Sequence, residues 1–196
     1  MRLVVTDFMS LDGVVQAPGG PEEDTDGGFA HGGWSMPVFD VEVMGAAIAK
    51  GMETTDALLF GRRTWQAMAG AWPERAGDPY ADQMNAIDKY VVSRSLTEDD
   101  MSAWKNSTLL SNSDPASAVA ELKERDGRDL LVWGSAALVR TLVTADLVDV
   151  YQLMIAPLLL GGGKRIFPDD GIARSLKLES LEQASTGVLI ATYTKA

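Results

Sequence analysis

Three short segments of the sequence place small or cationic residues directly after apolar, strand-like runs. These segments are Gly61, Arg62, Arg63 and Thr64; Ser93 and Arg94; and Gly134, Ser135, Ala136 and Ala137. Where a strand turns on a glycine into a helix, unpaired backbone N–H groups and the positive end of the helix dipole suit a phosphate. Arginine matches the planar geometry of phosphate oxygens better than lysine does. The spacing therefore predicts a site for a phosphate-bearing ligand such as a dinucleotide.

Each segment also has a purely structural interpretation. A tight strand–helix junction needs small residues in any case, so the segment that begins at Gly134 fits both interpretations equally when taken alone. A single arginine in a loop is usually a solvated surface charge. This chain, however, has a formal net charge of −11. Three arginines at successive strand ends of such an acidic protein favour the phosphate site.

Composition argues against several other classes of function. A formal net charge of −11 disfavours nonspecific nucleic-acid binding. The chain has no cysteine and a single histidine, His31, so no metal centre is expected. No apolar run approaches the roughly 20 residues of a membrane span, and the N-terminus lacks the pattern of a signal peptide. We therefore expect a cytoplasmic protein that acts on a small molecule, without a nucleic-acid or membrane partner.

Strand-like and helix-like segments alternate along the 196 residues and end in a hairpin pattern around Thr186-Gly187. This order predicts a single α/β domain over residues 1–196. Its sheet should be mostly parallel and twisted, with helices on both faces and a C-terminal antiparallel hairpin. Because ligands bind beyond the carboxyl ends of the strands in such sheets, the three segments should open on one rim.

The segment from Gln16 to Met36 is rich in glycine, proline and acidic residues and has no periodicity. Its aromatic residues favour a functional lid over a disordered linker. Within it, Trp34 is expected to be a lid or core aromatic, with a stacking platform for substrate as the alternative. Ser35 and Pro37 predict the start of a helix whose apolar face includes Val41.

The three segments, LLFGRRTW, YVVSRSL and LVWGSAAL, resemble in order the three cofactor segments of the dihydrofolate reductase superfamily. Two further segments, SLDG and LVDVYQLMIAPLLLGGGKRIF, resemble the reductase domain of the riboflavin-biosynthesis bifunctional deaminase-reductase and its stand-alone relatives. The resemblance covers nearly the whole chain. It implies a Rossmann-like, dihydrofolate reductase-like domain that binds NADPH, transfers hydride and often forms a homodimer. The zinc deaminase half has no counterpart, because its ligands cannot be built without cysteine.

Carried over by position, the resemblance implies roles for all three segments. Gly61 to Thr64 would approach the cofactor phosphates, Ser93 and Arg94 would face the adenosine 2′-phosphate, and Gly134 to Ala137 would line the pyrophosphate. Two positions depart from the family pattern. Ser135 stands where a second glycine is common, which predicts a less free backbone approach. Val150 stands where the riboflavin branch commonly has a glutamate, which weakens the assignment of that substrate.

Two carboxylates are candidates for catalysis. The resemblance implies that Asp12 and Gly13 lie near the nicotinamide and the substrate. Asp40 follows Trp34 as the substrate-binding carboxylate of a dihydrofolate reductase follows its tryptophan, so it is the candidate for binding a heterocycle or assisting protonation. Both have a structural alternative, since Asp-Gly pairs form turns and acidic residues are favoured in the first turn of a helix.

Lys164 and Arg165, after three glycines, are candidate ligands of a substrate phosphate, with a solvated loop as the alternative. The leading hypothesis is an NADPH-dependent reductase resembling 5-amino-6-(5-phosphoribosylamino)uracil reductase of riboflavin biosynthesis. It would act on a heterocyclic or sugar-derived substrate. One alternative is a dihydrofolate or pterin reductase, and the other is a non-catalytic nucleotide- or ligand-binding module. The identity of the substrate stays open, as does a flavin or deazaflavin in place of NADPH.

Overall fold

The computed structural model describes residues 1–110 and 114–196. Within them, eight strands form one sheet: β1 (Arg2–Ser10), β2 (Thr55–Gly61), β3 (Asp88–Val92), β4 (Ser107–Leu110), β5 (Asp129–Trp133), β6 (Val150–Ala156), β7 (Leu176–Gln183) and β8 (Leu189–Lys195). The order across the sheet is β4-β3-β2-β5-β1-β6-β8-β7. Neighbouring strands from β4 to β6 are parallel, whereas β8 is antiparallel to both β6 and β7. The predicted sheet is confirmed.

Five α-helices among the same residues cover the sheet: α1 (Val43–Thr54), α2 (Arg62–Ala69), α3 (Pro79–Ala86), α4 (Pro115–Lys123) and α5 (Ala136–Thr144). Val119 of α4 and Val139 of α5 pack with Val5 on one face. Trp65 of α2 and Met84 of α3 pack on the other face. Helices on both faces are therefore confirmed. Within the described ranges, no helix has both the length and the apolar character needed to cross a membrane.

The helix predicted to begin at Ser35 begins later, at Val43. Pro37 lies instead in a separate short 3-10 helix. The reason is that the Asp40 carboxylate accepts hydrogen bonds from the backbone N–H groups of Glu42 and Val43, at 3.1 Å each. Asp40 thus pairs with the backbone N–H groups at the start of α1, which is the capping role predicted for Ser35.

Helix α3 has no counterpart in the prediction, although its start carries a clear signal. The Asp78 carboxylate accepts hydrogen bonds from the backbone N–H groups of Tyr80 and Ala81, at 3.0 Å each. Asp78-Pro79 is the same capping pair as Asp114-Pro115, which predicts α4. The Asp-Pro pair that predicts the start of α4 therefore also marks the start of α3.

The register of the parallel strands brings the predicted segments to one rim. Gly61 at the end of β2 pairs with Val92 at the end of β3. On the other side of β2, Leu59 pairs with Val132, one residue before the end of β5. Because parallel strands point the same way, the loops that follow β2, β3 and β5 leave the same edge of the sheet side by side.

Candidate functional site

The corner between β2 and α2 touches the corner between β5 and α5. The backbone N–H of Gly61 donates a hydrogen bond to Ser135 Oγ (2.8 Å), and the Ser135 hydroxyl donates in turn to Thr64 Oγ1 (2.7 Å). A methyl group at position 61 would lie 2.8 Å from Ser135 Oγ and 3.0 Å from its Cβ, which leaves room for glycine alone. Gly134 has a φ of +74°, a conformation that favours glycine. The structure thus joins two of the three predicted segments.

Ser135 also has a left-handed backbone, with a φ of +68°. This conformation costs a residue other than glycine about 1–2 kcal/mol. The two hydrogen bonds of its hydroxyl offset part of that cost, since each contributes about 1 kcal/mol. A second glycine here would relieve the strain but would remove the bridge between the corners.

The starts of α2 and α5 differ from those of α3 and α4. Asp78 caps α3 and Asp114 caps α4, whereas neither α2 nor α5 receives a hydrogen bond from a capping side chain. Within the described part of the chain, the first N–H groups of α2 and α5 therefore have no capping side chain and lie at the rim, next to the positive ends of two helix dipoles. Ala137, in the first turn of α5, is exposed and adds little bulk in front of them. These features fit the phosphates of a dinucleotide.

Arg62 and Arg63 begin α2, and both are exposed. Arg63 forms an ion pair with Asp26 and lies 3.9 Å from Asp24, so it shares its charge with two carboxylates of the predicted lid. Arg62 forms a long hydrogen bond, 3.5 Å, to Gln66 Oε1 within its own helix. To turn toward an anion, Arg62 would lose only this long hydrogen bond, whereas Arg63 would lose its ion pairs.

Ser93 and Arg94 follow β3 at the neighbouring position on the rim. Ser93 is buried, and its hydroxyl oxygen accepts hydrogen bonds from the backbone N–H groups of Ser95 (3.1 Å) and Leu96 (3.0 Å). It therefore shapes the turn from which the exposed Arg94 extends. Arg94 is close enough to Asp114 to contribute, after the capping hydrogen bonds of that carboxylate, to its lowered pKa.

Asp12 holds the turn after β1 against the loop after β6. Its carboxylate accepts hydrogen bonds from the Ser10 hydroxyl (2.6 Å) and from the backbone N–H groups of Leu160 (3.1 Å) and Gly161 (2.8 Å). These bonds, that of Ser10 above all, lower the pKa of Asp12 to about 2. Asp12 is thus ionised at neutral pH and is unsuited to donate a proton. Its contacts describe a residue that positions the two loops.

Asp40 joins the start of α1 to the turn between β7 and β8. Its Oδ2 accepts hydrogen bonds from the hydroxyl (2.6 Å) and the backbone N–H (3.0 Å) of Ser185. The bond from the Ser185 hydroxyl above all, and then those from the backbone N–H groups of Val43, Ser185 and Glu42, lower the pKa of Asp40. The Asp40 carboxylate therefore links the hairpin turn to the start of α1. The structural alternative for Asp40 accounts for these contacts, and its catalytic role stays a prediction.

Trp34 is a core residue. It is 7% exposed, and its Nε1–H donates a hydrogen bond to the backbone oxygen of Gln16 (2.8 Å). Its ring packs with Met44 and Met154. These contacts fit the interpretation of Trp34 as a lid or core residue. A stacking platform for substrate would need one face of the indole ring to be exposed.

The segment from Gln16 to Met36, which we call the lid, closes over the glycine-rich loop that follows β6. Between residues 26–31 of the lid and residues 160–164 of the loop lies a cavity of about 480 Å³, here named the lid pocket. Lys164 lines this pocket. Arg165 does not, and its Nε donates a hydrogen bond to the backbone oxygen of Asp12 (3.0 Å) beside Gly13, whose φ is +84°.

A second cavity lies beneath α1 on one face of the sheet. Trp133, Thr6 and Gln152 border it and lie in register across β5, β1 and β6. Its volume of about 10 Å³ is close to that of one water molecule, too small for a ring. The lid pocket is therefore the cavity of the two that has room for a substrate.

Asp7, on β1, is a buried carboxylate outside the set of predicted site residues. It is 6% exposed, pairs in register with Leu153 of β6, and shares its face of the strand with Val5 and Met9. Its Oδ2 has no hydrogen-bond partner among the described residues. Burial in these apolar surroundings raises the pKa of Asp7 well above its ordinary value. An acidic residue inside an otherwise apolar strand is the sequence signal that points to it.

The Asp7→Asn variant tests this burial. Because the folded pKa of Asp7 is raised, the folded state keeps a proton that the unfolded chain releases above about pH 4, so stability falls as the pH rises from there toward the raised value. Asparagine cannot lose that proton. We expect the variant to be more stable than the wild type by about 1–3 kcal/mol near neutral pH and equally stable near pH 4.

Thermal unfolding across this pH range measures the difference. The matched control is Asp56→Asn, because hydrogen bonds from Arg128 lower the pKa of Asp56. Asp56→Asn should therefore reduce stability near neutral pH and have a smaller effect in acid. A Tm difference for Asp7→Asn that is independent of pH would contradict the raised pKa.

Comparison with known proteins places the chain in a family. A family model described as the RibD C-terminal domain matches residues 2–190. The uncharacterized protein YyaP of Bacillus subtilis (strain 168) is 30% identical over 143 residues, which are 70% of this chain and 73% of that protein.

Three solved structures share the fold at low sequence identity. A protein from Shewanella sp. PV-4 named for riboflavin biosynthesis has a TM-score of 0.75 and 20% identity, over 100% of this chain and 99% of that one. A pyrimidine reductase-like protein from Corynebacterium diphtheriae has a TM-score of 0.63 and 15% identity, over 100% and 92%. Dihydrofolate reductase from Enterococcus faecalis, complexed with NADP(H), has a TM-score of 0.62 and 12% identity, over 99% and 96%.

The resemblance expected from the sequence is confirmed, because the family model extends from the first strand to the last and the joined corners lie within it. The protein belongs to the RibD C-terminal domain family and has a dihydrofolate reductase-like fold.

Proposed function

We propose that the protein is an NADPH-dependent reductase that transfers a hydride to a heterocyclic or sugar-derived substrate, as 5-amino-6-(5-phosphoribosylamino)uracil reductase does in riboflavin biosynthesis. The observation that carries the proposal is the contact between Gly61 and Ser135, which sets the uncapped starts of α2 and α5 side by side. The family supports a reductase, and the dihydrofolate reductase of similar fold holds NADP(H).

In this proposal the two corners bind the cofactor phosphates. The backbone N–H groups at the starts of α2 and α5 would hold the pyrophosphate, with Thr64 fixed by its bond from Ser135. Arg62 and Arg94 would pair with phosphate oxygens, Arg94 with the 2′-phosphate. Bound NADPH would supply the hydride. The chain itself would orient the reactants and exclude water through the lid.

Asp12 has a positioning role in this scheme. By binding the N–H groups of Leu160 and Gly161, its carboxylate fixes the wall of the lid pocket next to the turn after β1. Its charge also keeps Arg165 nearby, with Nη2 and Oδ2 3.7 Å apart. Asp7, by contrast, is a carboxyl group of β1 whose pKa is raised by burial and whose Oδ2 has no hydrogen-bond partner among the described residues.

Titration with NADPH and with NADH, followed by cofactor fluorescence, tests the proposal. We expect saturable binding of both, with NADPH bound more tightly because of its additional phosphate. The absence of saturable binding of either nucleotide would refute it. Loss of NADPH absorbance on addition of pterins, pyrimidine ribosides or flavins would then separate a reductase from a module that binds the cofactor without turnover.

Reduction of dihydrofolate is the second candidate, and the fold favours it. The surroundings of Asp40 argue against this candidate function, because the Asp40 carboxylate accepts a hydrogen bond from the Ser185 hydroxyl of the hairpin turn. Asp40 is not among the residues that line the lid pocket, so we expect the Asp40→Asn variant to retain any turnover of dihydrofolate. A loss of that turnover would support the substrate-binding role that the resemblance implies for Asp40.

We further propose a homodimer that pairs through β7, the edge strand of the sheet. Leu178 lies opposite Tyr193 and Leu181 opposite Ala191, and a bulge between Leu178 and Ser180 puts both leucines on one face. They are 48% and 55% exposed. An apolar stripe on an exposed edge strand is a surface that a second copy can cover.

The Leu178→Glu/Leu181→Glu variant should weaken this dimer. Two carboxylates would have to be desolvated at the interface, which we expect to raise the dissociation constant at least about 100-fold. Sedimentation equilibrium measures the change. Leu159→Glu is the control, because Leu159 is 74% exposed but lies outside the strand. Equal dissociation constants for the β7 variant and the wild type would contradict the assignment.

A further inference from the structure

The lid pocket has a wall of backbone and rings. Four of its lining residues are glycines (Gly27, Gly28, Gly162 and Gly163). Phe29 and His31 also line it, and their rings meet edge to face with centroids 5.6 Å apart. A cavity of about 480 Å³ with such walls has the size and surface of a site for a small planar molecule.

The positive charges near this pocket already have carboxylate partners. Lys164 Nζ lies 2.9 Å from Asp26 Oδ2 and also pairs with Asp24. Arg63 pairs with the same two aspartates. Two cations therefore face two anions, and a ligand phosphate brought to Lys164 would meet both carboxylates as well.

These aspartates are held by the backbone of the lid. Gln16 is 4% exposed, and its Nε2 donates hydrogen bonds to the backbone oxygens of Asp24 and Asp26, at 3.0 Å each. Its Oε1 accepts a hydrogen bond from the backbone N–H of Lys164 (3.1 Å). One buried amide thus fixes the backbone of Asp24, Asp26 and Lys164, so the ion pairs of these residues are held at one side of the pocket.

We infer that the lid pocket binds an uncharged planar ring, and that Asp24 and Asp26 make it discriminate against ligands that carry a phosphate. A dianionic phosphate next to Lys164 would meet a cation that Asp24 and Asp26 already neutralise, so the loss of its hydration would not be compensated. An uncharged ring can pack against the glycine backbone and the aromatic edges without displacing an ion pair. The identification of this ring as the substrate rests on the proposed function, and it narrows that function to a heterocycle without the phosphate that the substrate of 5-amino-6-(5-phosphoribosylamino)uracil reductase carries. The preference of the pocket for uncharged ligands does not depend on the proposed function.

Binding of matched ligand pairs to the full chain without cofactor tests the inference. The probes are riboflavin against flavin mononucleotide and uridine against uridine 5′-monophosphate, which differ within each pair by one phosphate. By flavin fluorescence and by calorimetry, we expect the wild type to bind the unphosphorylated member at least about tenfold more tightly. Equal or tighter binding of the phosphorylated members, or no saturable binding of any probe, would overturn the inference.

The Asp24→Asn/Asp26→Asn variant tests the cause of the preference. It removes two negative charges without changing side-chain size, so the preference should disappear or reverse. Glu22→Gln is the control, because Glu22 is an exposed acid of the same lid outside the ion-pair cluster. A preference unchanged in the double variant would overturn the role of the two aspartates. NADPH binding is measured separately, so failure of the proposed function remains distinguishable.

Discussion

The Gly61→Ala variant should bind NADPH at least about tenfold more weakly than the wild type and lose about 1–3 kcal/mol of unfolding free energy. The added methyl group would lie 2.8 Å from Ser135 Oγ and 3.0 Å from its Cβ, so the two corners must move apart. Backbone strain is not involved, since the φ of Gly61 is −82°. Fluorescence titration and chemical denaturation measure the two losses.

A second substitution should reverse part of this effect. Ser135→Gly in the Gly61→Ala background removes the atoms that the new methyl group would meet, and we expect NADPH affinity to recover. Gly45→Ala is the matched control, because nothing lies within 4 Å of the methyl position there. In helix α1 it should stabilise the protein by about 0.5–1 kcal/mol and leave NADPH binding unchanged. A loss in Gly61→Ala that Ser135→Gly does not relieve would argue against the contact as its cause.

Charge reversal at Arg94 should separate the two nucleotides. We expect Arg94→Glu to weaken NADPH binding about 100-fold and NADH binding less than about threefold, because only NADPH carries the 2′-phosphate proposed to lie at this strand end. Titration with each nucleotide under the same ionic strength measures the ratio. Lys50→Glu, an exposed position of α1, makes the same change in net charge and controls for the field of the whole protein.

Equal losses for NADPH and NADH in Arg94→Glu would contradict the assignment of the 2′-phosphate to this arginine. The variant also needs its unfolding free energy measured, since the charge of Arg94 acts on Asp114 at the start of α4. A loss confined to stability, with both affinities unchanged, would give Arg94 a structural role.

The strands and the corners that follow them could be predicted because their signals are local. Runs such as Leu130 to Trp133 identify buried strands by composition, and the glycines at Gly61 and Gly134 mark the turns that follow them. Parallel pairing then places the strand ends on one rim without further information. The hydrogen bond from Ser135 to Thr64 could not be predicted, because it joins hydroxyl groups that lie 71 residues apart in the sequence.

The roles of the carboxylates could not be predicted for a related reason. Asp12 and Asp40 stand in sequence patterns that fit catalysis and turn formation equally well. What distinguishes these possibilities are partners far along the chain, Gly161 for Asp12 and Ser185 for Asp40. Asp7 shows the converse, because its local pattern, an acid within an apolar strand, marks the position, whereas its raised pKa depends on burial among residues of other strands.

The contacts that shape the lid have a consequence for biosynthesis. Gln16 bonds Lys164, 148 residues later, and Val14 forms a bridge with Arg165. On the ribosome, the lid emerges long before these partners exist, and β1 likewise emerges before β5 and β6, which flank it in the sheet. The earliest segment of the nascent chain is thus among the last to reach its final surroundings, and a chain arrested before residue 160 should leave the lid open to proteases.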